Sequence, residues 1–225
     1  AHAKKVIDAT RELAVAYKPN FGFFERWGSK GFEWLEETLD YIGNEHILVA
    51  DAKRGDIGNS AKQYAKSVFN HFGFDAVTVN PYMGSDAIRP FISQPEKGAF
   101  ILCRTSNPTA GELQNQKTTT GILYEIVAQL AVELNENDNV GLVVGATVPK
   151  EIQHVRDLAP DLPLLLPGIG AQGGDLAKSI SYGNTNGVAL INISRGICFA
   201  GDMSENAIRN VSESYVTKMR AILND

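Results

Sequence analysis

The chain has 225 residues, of which 44% are hydrophobic and 21% charged, and its formal net charge is −5. These values are ordinary for a globular protein, and the length suits one large domain, which we predict to span residues 1–225. The acidic balance argues against a nucleic-acid or membrane-surface partner, because both attract basic proteins, and no apolar stretch approaches the roughly 20 residues of a membrane-spanning helix.

Short apolar runs alternate with longer helical patterns along the whole chain. The runs predict strands at residues 14–17, 47–51, 76–79, 100–103, 140–144, 164–166 and 188–193. Apolar positions at helical spacing predict helices at 6–13, 34–42, 61–69, 86–92, 122–134, from 149, at 176–180 and at 204–223. Gly43 is expected to end the second helix, Asn59 or Ser60 to cap the third, and Pro149 to open the sixth.

Strands that are apolar throughout and separated by helices indicate parallel pairing with both faces covered. Polar residues follow the carboxyl ends of several strands, namely Lys18, Asp51, Asn80, Arg104, Pro167 and Ser194–Arg195. These ends meet at one mouth in a parallel barrel, whereas a doubly wound open sheet spreads them along an edge. We therefore predict an α/β fold, a (β/α)8 TIM barrel whose first strand is absent from the chain, because the pattern opens with a helix.

The segment that follows the second strand carries the most chemical information. Asp51 and Lys53 lie two residues apart, so they share a face of an extended strand, and Asp56 follows where the chain turns. Charges at a buried strand end are costly unless they satisfy one another. A lysine between two carboxylates stays protonated, which makes Lys53 a fixed cation and a possible proton donor. On spacing alone, an exposed ion pair at a loop remains an equal alternative.

A second candidate site follows the strand at 164–166. Four glycines within residues 168–174 let the backbone turn tightly and approach a ligand closely. Free N–H groups at the start of the next helix are expected to favour an anion, and Arg195, one strand later, suits bidentate phosphate contact. The competing interpretation is that the glycines only form a tight turn and bind nothing. Arg195 at the end of the next strand favours the phosphate site over this alternative.

A third segment follows the strand at 100–103. Thr105, Ser106 and Asn107 offer hydroxyl and amide groups that could contact the edge of a polar heterocycle. An Asn-Pro turn with capping residues explains the same residues equally well.

Together these segments resemble orotidine 5′-phosphate decarboxylases, and most closely the bacterial subgroup with a Lys-Arg-Gly-Asp-Ile array. The resemblance runs from the first helix to the end of the chain. It is carried by Lys18 in Ala-Tyr-Lys-Pro-Asn, by residues 51–57, by Pro81-Tyr82-Met83-Gly84, by residues 105–108, by residues 167–175 and by Ser194-Arg195.

The resemblance implies decarboxylation of orotidine 5′-monophosphate (OMP) to UMP in pyrimidine biosynthesis. Lys53 would protonate C6 of the pyrimidine, while Asp51 and Asp56 hold its ammonium group. Contacts to the substrate are implied for a further set: Lys18 at the ribose hydroxyls, Ser106 and Gln172 at the pyrimidine, Arg195 and the glycine-rich loop (Pro167, Gly170, Gly173) at the phosphate, and also Ile57 and Ser60.

The resemblance also implies a homodimer in which Asp56 and Ile57 reach the partner's site. Neither a cofactor nor a metal is expected, because a preorganised ammonium can stabilise the in-plane carbanion and then protonate it, and the four histidines show no ligand spacing. Cys103 and Cys198 fit neither a disulfide framework nor a metal pattern, so we expect a cytoplasmic protein.

One departure concerns the beginning of the chain. The family opens with a strand that ends in a Leu-Asp-Pro-like segment, and this chain opens at the helix after it, so we expect roughly 15–40 further N-terminal residues in the functional polypeptide. Two other functions remain open. One is a Mg²⁺-dependent lyase or aldolase acting on a keto-sugar phosphate, and the other is a non-catalytic barrel that binds a phosphorylated metabolite.

Overall fold

The computed structural model describes residues 2–224, so Ala1 and Asp225, the ends of the predicted domain, lie outside the described residues. The described residues form two compact units. Unit one comprises residues 2–99 and 197–214, and unit two comprises residues 100–196 and 215–224. Parallel strands alternate with helices in both units, which confirms the predicted α/β class. A single domain over residues 1–225 stays a prediction.

Unit one contains three parallel strands in chain order, β1-β2-β3. Its elements are α1 (His2–Thr10), β1 (Ala16–Tyr17), α2 (Gly22–Glu25), α3 (Gly28–Ile42), β2 (Ile47–Arg54), α4 (Gly58–Lys66), β3 (Ala76–Val79) and α5 (Ser85–Ile88). A π-helical turn at Ser67–His71 continues α4, and 3₁₀ turns occupy Pro81–Met83 and Arg89–Phe91.

The core of unit one is aromatic. Phe21, Phe72 and Phe74 pack with ring centroids 5.7–6.4 Å apart. Helix α3 presents Leu35, Leu39 and Ile42 to the interior from one face, as the sequence predicts. The helix ends where expected, because Gly43 adopts a φ of 77° that side-chain-bearing residues avoid.

Unit two contains the strands β4-β5-β6-β7, again in chain order. Its elements are β4 (Gly98–Arg104, which begins in unit one), α6 (Gly111–Gln114), α7 (Leu123–Leu134), β5 (Val140–Val144), α8 (Pro149–Leu158), β6 (Leu164–Pro167), α9 (Leu176–Gly183) and β7 (Ala189–Asn192). Two helices have residues in both units, α10 (Arg195–Cys198) and α11 (Glu205–Asn224).

Strand β6 is central in unit two. It pairs with β5 through Leu142↔Leu164 and with β7 in a register that runs to Pro167↔Asn192. Strands β5 and β6 are buried almost throughout, as expected for parallel strands, whereas β7 is only half-buried. Strand β6 ends at Pro167, one residue later than predicted, and β7 ends at Asn192, one residue earlier, so the polar residues after β6 begin close to where the sequence placed them.

Arg156 anchors the helices behind β6 and β7. Its side chain is almost fully buried, and it donates to five backbone carbonyl groups: Ala159, Pro160, Leu162, Gly183 and Val188. Burial lowers the pKa of this guanidinium. The backbone carbonyls supply the acceptors that a charged group needs in the interior.

The structure corrects several element boundaries. Strand β2 continues to Arg54 instead of ending at Asp51, and α4 begins at Gly58, so Asn59 and Ser60 lie within its first turn and do not cap it. The single-turn helices α2, α6 and α10 were not predicted, because four residues carry too little periodicity. Within residues 2–224, no helix is both long and apolar enough to cross a membrane.

Candidate active site

The carboxylate of Asp51 is the centre of a polar cluster in unit one. Oδ2 accepts hydrogen bonds from Lys18 Nζ, in a very short contact, and from Asn20 Nδ2 at 3.2 Å. Oδ1 accepts from Lys53 Nζ at 2.5 Å and from Thr78 Oγ1 at 3.3 Å. Four donors therefore saturate one carboxylate that is only 8% exposed.

This arrangement differs from the expected one. The sequence predicted a lysine between two carboxylates, whereas the structure places one carboxylate, Asp51, between two lysines, Lys18 and Lys53. Asp56 accepts a hydrogen bond from the Ile57 N–H at 2.8 Å, and within residues 2–224 no ion pair joins it to Lys53.

The charges of the cluster are unequal. Burial raises the pKa of Asp51, but the two lysines lower it by more, so this carboxyl pKa lies below its usual value and Asp51 stays ionised. Burial lowers the pKa of Lys18, and Asp51 offsets that effect only in part. With both ammonium groups protonated, the contacting charges sum to +1. The cluster is therefore suited to an anionic ligand or to charge that develops during a reaction.

Lys53 occupies an unusual backbone position. Its φ is +48°, a left-handed value uncommon for residues with a side chain, and the β2–β3 register shifts between Ala50 and Arg54. Thr78, buried on β3, accounts for part of this geometry, because its hydroxyl accepts from the Lys53 N–H at 2.9 Å. The bend leaves the Lys53 side chain 51% exposed while its Nζ still reaches Asp51. A strained residue held this firmly is typical of functional sites.

The remaining predicted residues of unit one lie outside the Asp51 cluster. Asp56 is half-buried, Ile57 is 55% exposed and Ser60 is exposed in the first turn of α4. Sequence reasoning missed two members of the cluster, Asn20 and Thr78. A signal existed for each, because Asn20 follows Lys18-Pro19 and Thr78 is the single polar residue in an otherwise apolar strand.

In unit two, the glycine-rich loop follows β6 as predicted. Gly168, Gly170 and Gly173 have φ values of 111°, 79° and 78°, so their places in the turn require glycine. Two internal hydrogen bonds close the loop, from Gly173 N–H to Gly170 O at 2.8 Å and from Gly174 N–H to Gly168 O at 3.0 Å. Within residues 2–224 the N–H groups of 171 and 172 have no partner, and these are donors that an anion can use.

The start of helix α9 is not free, contrary to the prediction. Asp175 caps it, with Oδ1 accepting from the Lys178 N–H at 3.0 Å. The cap brings a negative charge to the helix N-terminus and occupies the donor that an anion would need. The loop amides and Arg195 are therefore the better phosphate donors of unit two.

Ser106 and Gln172 lie together in unit two, which the resemblance implied. Ser106 Oγ donates to Gln172 Oε1 at 3.0 Å. The Ser106 backbone rests against Gly145, where an added Cβ would come within 2.8 Å of it. A hydroxyl and an amide are thus held side by side on a rigid backbone, as recognition of a polar ring requires.

Arg195 begins α10 and is exposed, and no ion pair involves it within residues 2–224. Its neighbour Gly196 lies close to Tyr215, whose hydroxyl would be 3.2 Å from an added Cβ. The same hydroxyl lies 3.2 Å from the Cβ position of Gly170. The Arg195 turn and the glycine-rich loop therefore both lie close to one tyrosine hydroxyl.

Possible metal ligands are scattered: within residues 2–224, no group of three or more His, Cys, Asp or Glu side chains is arranged to hold a metal ion. Cys103 and Cys198 are free thiols. Burial raises the pKa of Cys103 to about 12, so this thiol stays protonated.

Comparison with known proteins supplies the family. Residues 1–209 match the model of the orotidine 5′-phosphate decarboxylase / HUMPS family. The chain is 53% identical over 207 residues to an orotidine 5′-phosphate decarboxylase of Natronomonas pharaonis, covering 90% of this chain and 75% of that protein. A relative of the same name from Dehalococcoides mccartyi is 47% identical over 210 residues, with 91% and 78% covered.

A solved structure agrees with these relatives. OMP decarboxylase of Leishmania donovani superposes with a TM-score of 0.92 at 40% identity, covering all of this chain and 87% of that one. This similarity supports the predicted barrel class, since the structural relatives are OMP decarboxylase TIM barrels. The chain therefore belongs to the orotidine 5′-phosphate decarboxylase family.

Proposed function

We propose that the protein decarboxylates orotidine 5′-monophosphate to UMP and CO2, as a carbon–carbon lyase of pyrimidine biosynthesis. The observation that carries the proposal is the Asp51 carboxylate on β2, which Lys18 and Lys53 share, in a chain 53% identical to a protein named for this activity. The cluster has net positive charge, and loss of CO2 leaves negative charge on the substrate carbon.

The proposed chemistry assigns the proton transfer to Lys53. The bond between C6 and the carboxylate breaks, its electron pair stays on C6, and CO2 leaves. The Lys53 ammonium stabilises that charge and then donates a proton to C6, after which the neutral amine takes a proton from water. Asp51 holds the ammonium in place through the 2.5 Å contact. In this proposal the Asp56 carboxylate also holds the Lys53 ammonium.

We assign the remaining predicted residues to substrate binding. Lys18 contacts the ribose hydroxyls, and Ile57 and Ser60 lie near the substrate. Ser106 and Gln172 address the pyrimidine. Their contact at 3.0 Å supports a shared role. Pro167, Gly170, Gly173 and Arg195 hold the phosphate. Within residues 2–224, the free N–H groups of 171 and 172 and an Arg195 guanidinium without an ion pair support this role.

We also propose a homodimer in which Asp56 and Ile57 serve the partner's site. The Ile57 side chain is 55% exposed, so it is accessible to a partner subunit, which supports this proposal. Asp56 is available to a partner's site, because within residues 2–224 its carboxylate accepts a hydrogen bond only from the Ile57 N–H. A cytoplasmic location is supported by the two free thiols.

The test is substrate selectivity with and without metal. We expect the wild-type protein to convert OMP to UMP, followed by ultraviolet absorbance, at the same rate with and without EDTA. A keto-sugar phosphate supplied with Mg²⁺ should not react. Activity only on the sugar phosphate with Mg²⁺ would favour the lyase alternative, and tight UMP binding without OMP turnover would favour the non-catalytic one.

A further inference from the structure

Gln114, the last residue of α6, folds back onto the loop that carries Ser106. Its Oε1 accepts from the Thr105 N–H at 2.9 Å and from Arg104 Nη1 at 3.4 Å, and its Nε2 donates to Thr105 Oγ1 at 2.8 Å. Because a backbone N–H and a guanidinium can only donate, the orientation of the Gln114 amide is determined. The Thr105 hydroxyl then gives its own hydrogen to Asn107 Oδ1 at 2.6 Å.

The same residues set the plane of the peptide bond between Thr105 and Ser106. Arg104, which is buried, donates from Nη1 to the Thr105 carbonyl oxygen at 2.8 Å. In a trans peptide, the carbonyl and the following N–H point in opposite directions. The Ser106 N–H therefore points away from Arg104, and it has no partner within residues 2–224.

The other side of Ser106 is also fixed. Gly145 packs directly against the Ser106 backbone, and Thr147 Oγ1 donates to the Ser106 carbonyl oxygen at 3.5 Å. Contacts with Gly145 and Thr147 thus hold the Ser106 backbone, while its N–H has no partner within residues 2–224. Among residues 2–224, only Gln114 holds Thr105 through both the backbone and the side chain of that threonine.

We propose that Gln114 is a positioning residue that fixes Ser106 for recognition of the pyrimidine ring, and thereby sets selectivity for the base over the ribose phosphate. The inference rests on the proposed function, in which Ser106 addresses the pyrimidine. Gln114 does not touch substrate. It acts through Thr105, and without it the Ser106 N–H loses the alignment that a hydrogen bond to a ring carbonyl needs.

The experiment compares two inhibitors of OMP turnover, UMP, which carries the base, and ribose 5-phosphate, which lacks it. For Gln114→Met we expect UMP inhibition about tenfold weaker, the loss of one to two hydrogen bonds, and unchanged inhibition by ribose 5-phosphate. Gln114→Glu keeps the acceptor for Thr105 N–H and should recover part of the loss. The matched control is Gln153→Met on the exposed face of α8, which should change neither constant.

Thr105→Val provides a second variant that preserves side-chain shape, should Gln114→Met unfold. It removes the hydroxyl that Gln114 Nε2 contacts and should shift the same inhibition ratio in the same direction. Equal weakening of both inhibitors, or no change in either, would overturn the positioning role. Absence of OMP turnover in the wild type would instead count against the proposed function, so the two failures are distinguishable.

Discussion

Replacing Asp51 with asparagine tests the energetic basis of the charged cluster. The Lys18 and Asp51 side chains are 13% and 9% exposed, so this pair is largely removed from solvent. Removing one partner of such a pair leaves a buried charge uncompensated and costs about 3–5 kcal/mol. We expect about 3 kcal/mol for Asp51→Asn, because the amide oxygen still accepts one hydrogen bond. The 51% exposed Lys53 side chain adds less than about 1 kcal/mol after solvent screening.

The measurement is urea unfolding at pH 7, with Asp40→Asn on the exposed face of α3 as the matched control. The control should change the free energy of unfolding by no more than about 0.5 kcal/mol. Adding Lys18→Met to Asp51→Asn should recover about 2 kcal/mol, since the unpaired ammonium is then gone. An Asp51→Asn protein as stable as the wild type, or a double variant without recovery, would refute the reasoning.

The pH dependence of the same difference has a defined sign. The pKa of Asp51 is lower in the folded protein than its usual value, so the stabilisation by the carboxylate is complete above the unfolded pKa of about 4 and is lost as pH falls through the folded pKa. The stability gap between the wild type and Asp51→Asn should therefore narrow below about pH 4. A gap that widens in acid would contradict the assignment of Asp51 as the ionised partner.

Three further predictions concern the dimer, the phosphate loops and the fold. Mixing Lys53→Ala with Asp56→Ala should restore about one quarter of wild-type OMP turnover if each site takes residues from both subunits, because half of randomly paired dimers are mixed and each has one intact site; no restoration would exclude such sharing. Gly196→Ala should lower kcat/KM for OMP about fivefold, because the new Cβ lies 3.2 Å from the Tyr215 hydroxyl. Adding Tyr215→Phe removes that hydroxyl and should restore kcat/KM. If kcat/KM is not restored, the hydroxyl is not the obstacle. Arg156→Lys should lower the free energy of unfolding by about 3 kcal/mol or more, because lysine cannot serve five carbonyl groups in their fixed positions; a thermal melt equal to that of the wild type would contradict it.

The sequence was sufficient for the order and type of the strands because parallel strands buried on both faces leave a clear apolar signature. All seven predicted strands were found, and the polar residues predicted to follow them lie at or just past strand ends, except Asp51, which lies within β2. Boundaries were less predictable. Strand β2 continues past Asp51 because Thr78, on the neighbouring strand, holds the Lys53 backbone, and no local pattern encodes that contact.

The composition of the charged cluster was predictable only in part. Lys53 and Asp51 share a strand, so their contact follows from spacing, whereas Lys18 and Asn20 reach Asp51 from a segment 31–33 residues away. The Asp175 cap is a different case. An aspartate directly before a helix is a known N-cap signal, and it could have been recognised before the structure.

The most direct test of the central claim is kcat/KM for OMP in the wild type, in Lys53→Ala and in Lys30→Ala, a control that removes an exposed lysine on α3. Loss of both electrostatic stabilisation and proton donation predicts a fall of at least about 10⁴-fold for Lys53→Ala, with the control within about twofold of the wild type. A folded Lys53→Ala protein that keeps a substantial share of wild-type kcat/KM would contradict the assignment of Lys53 as the proton donor.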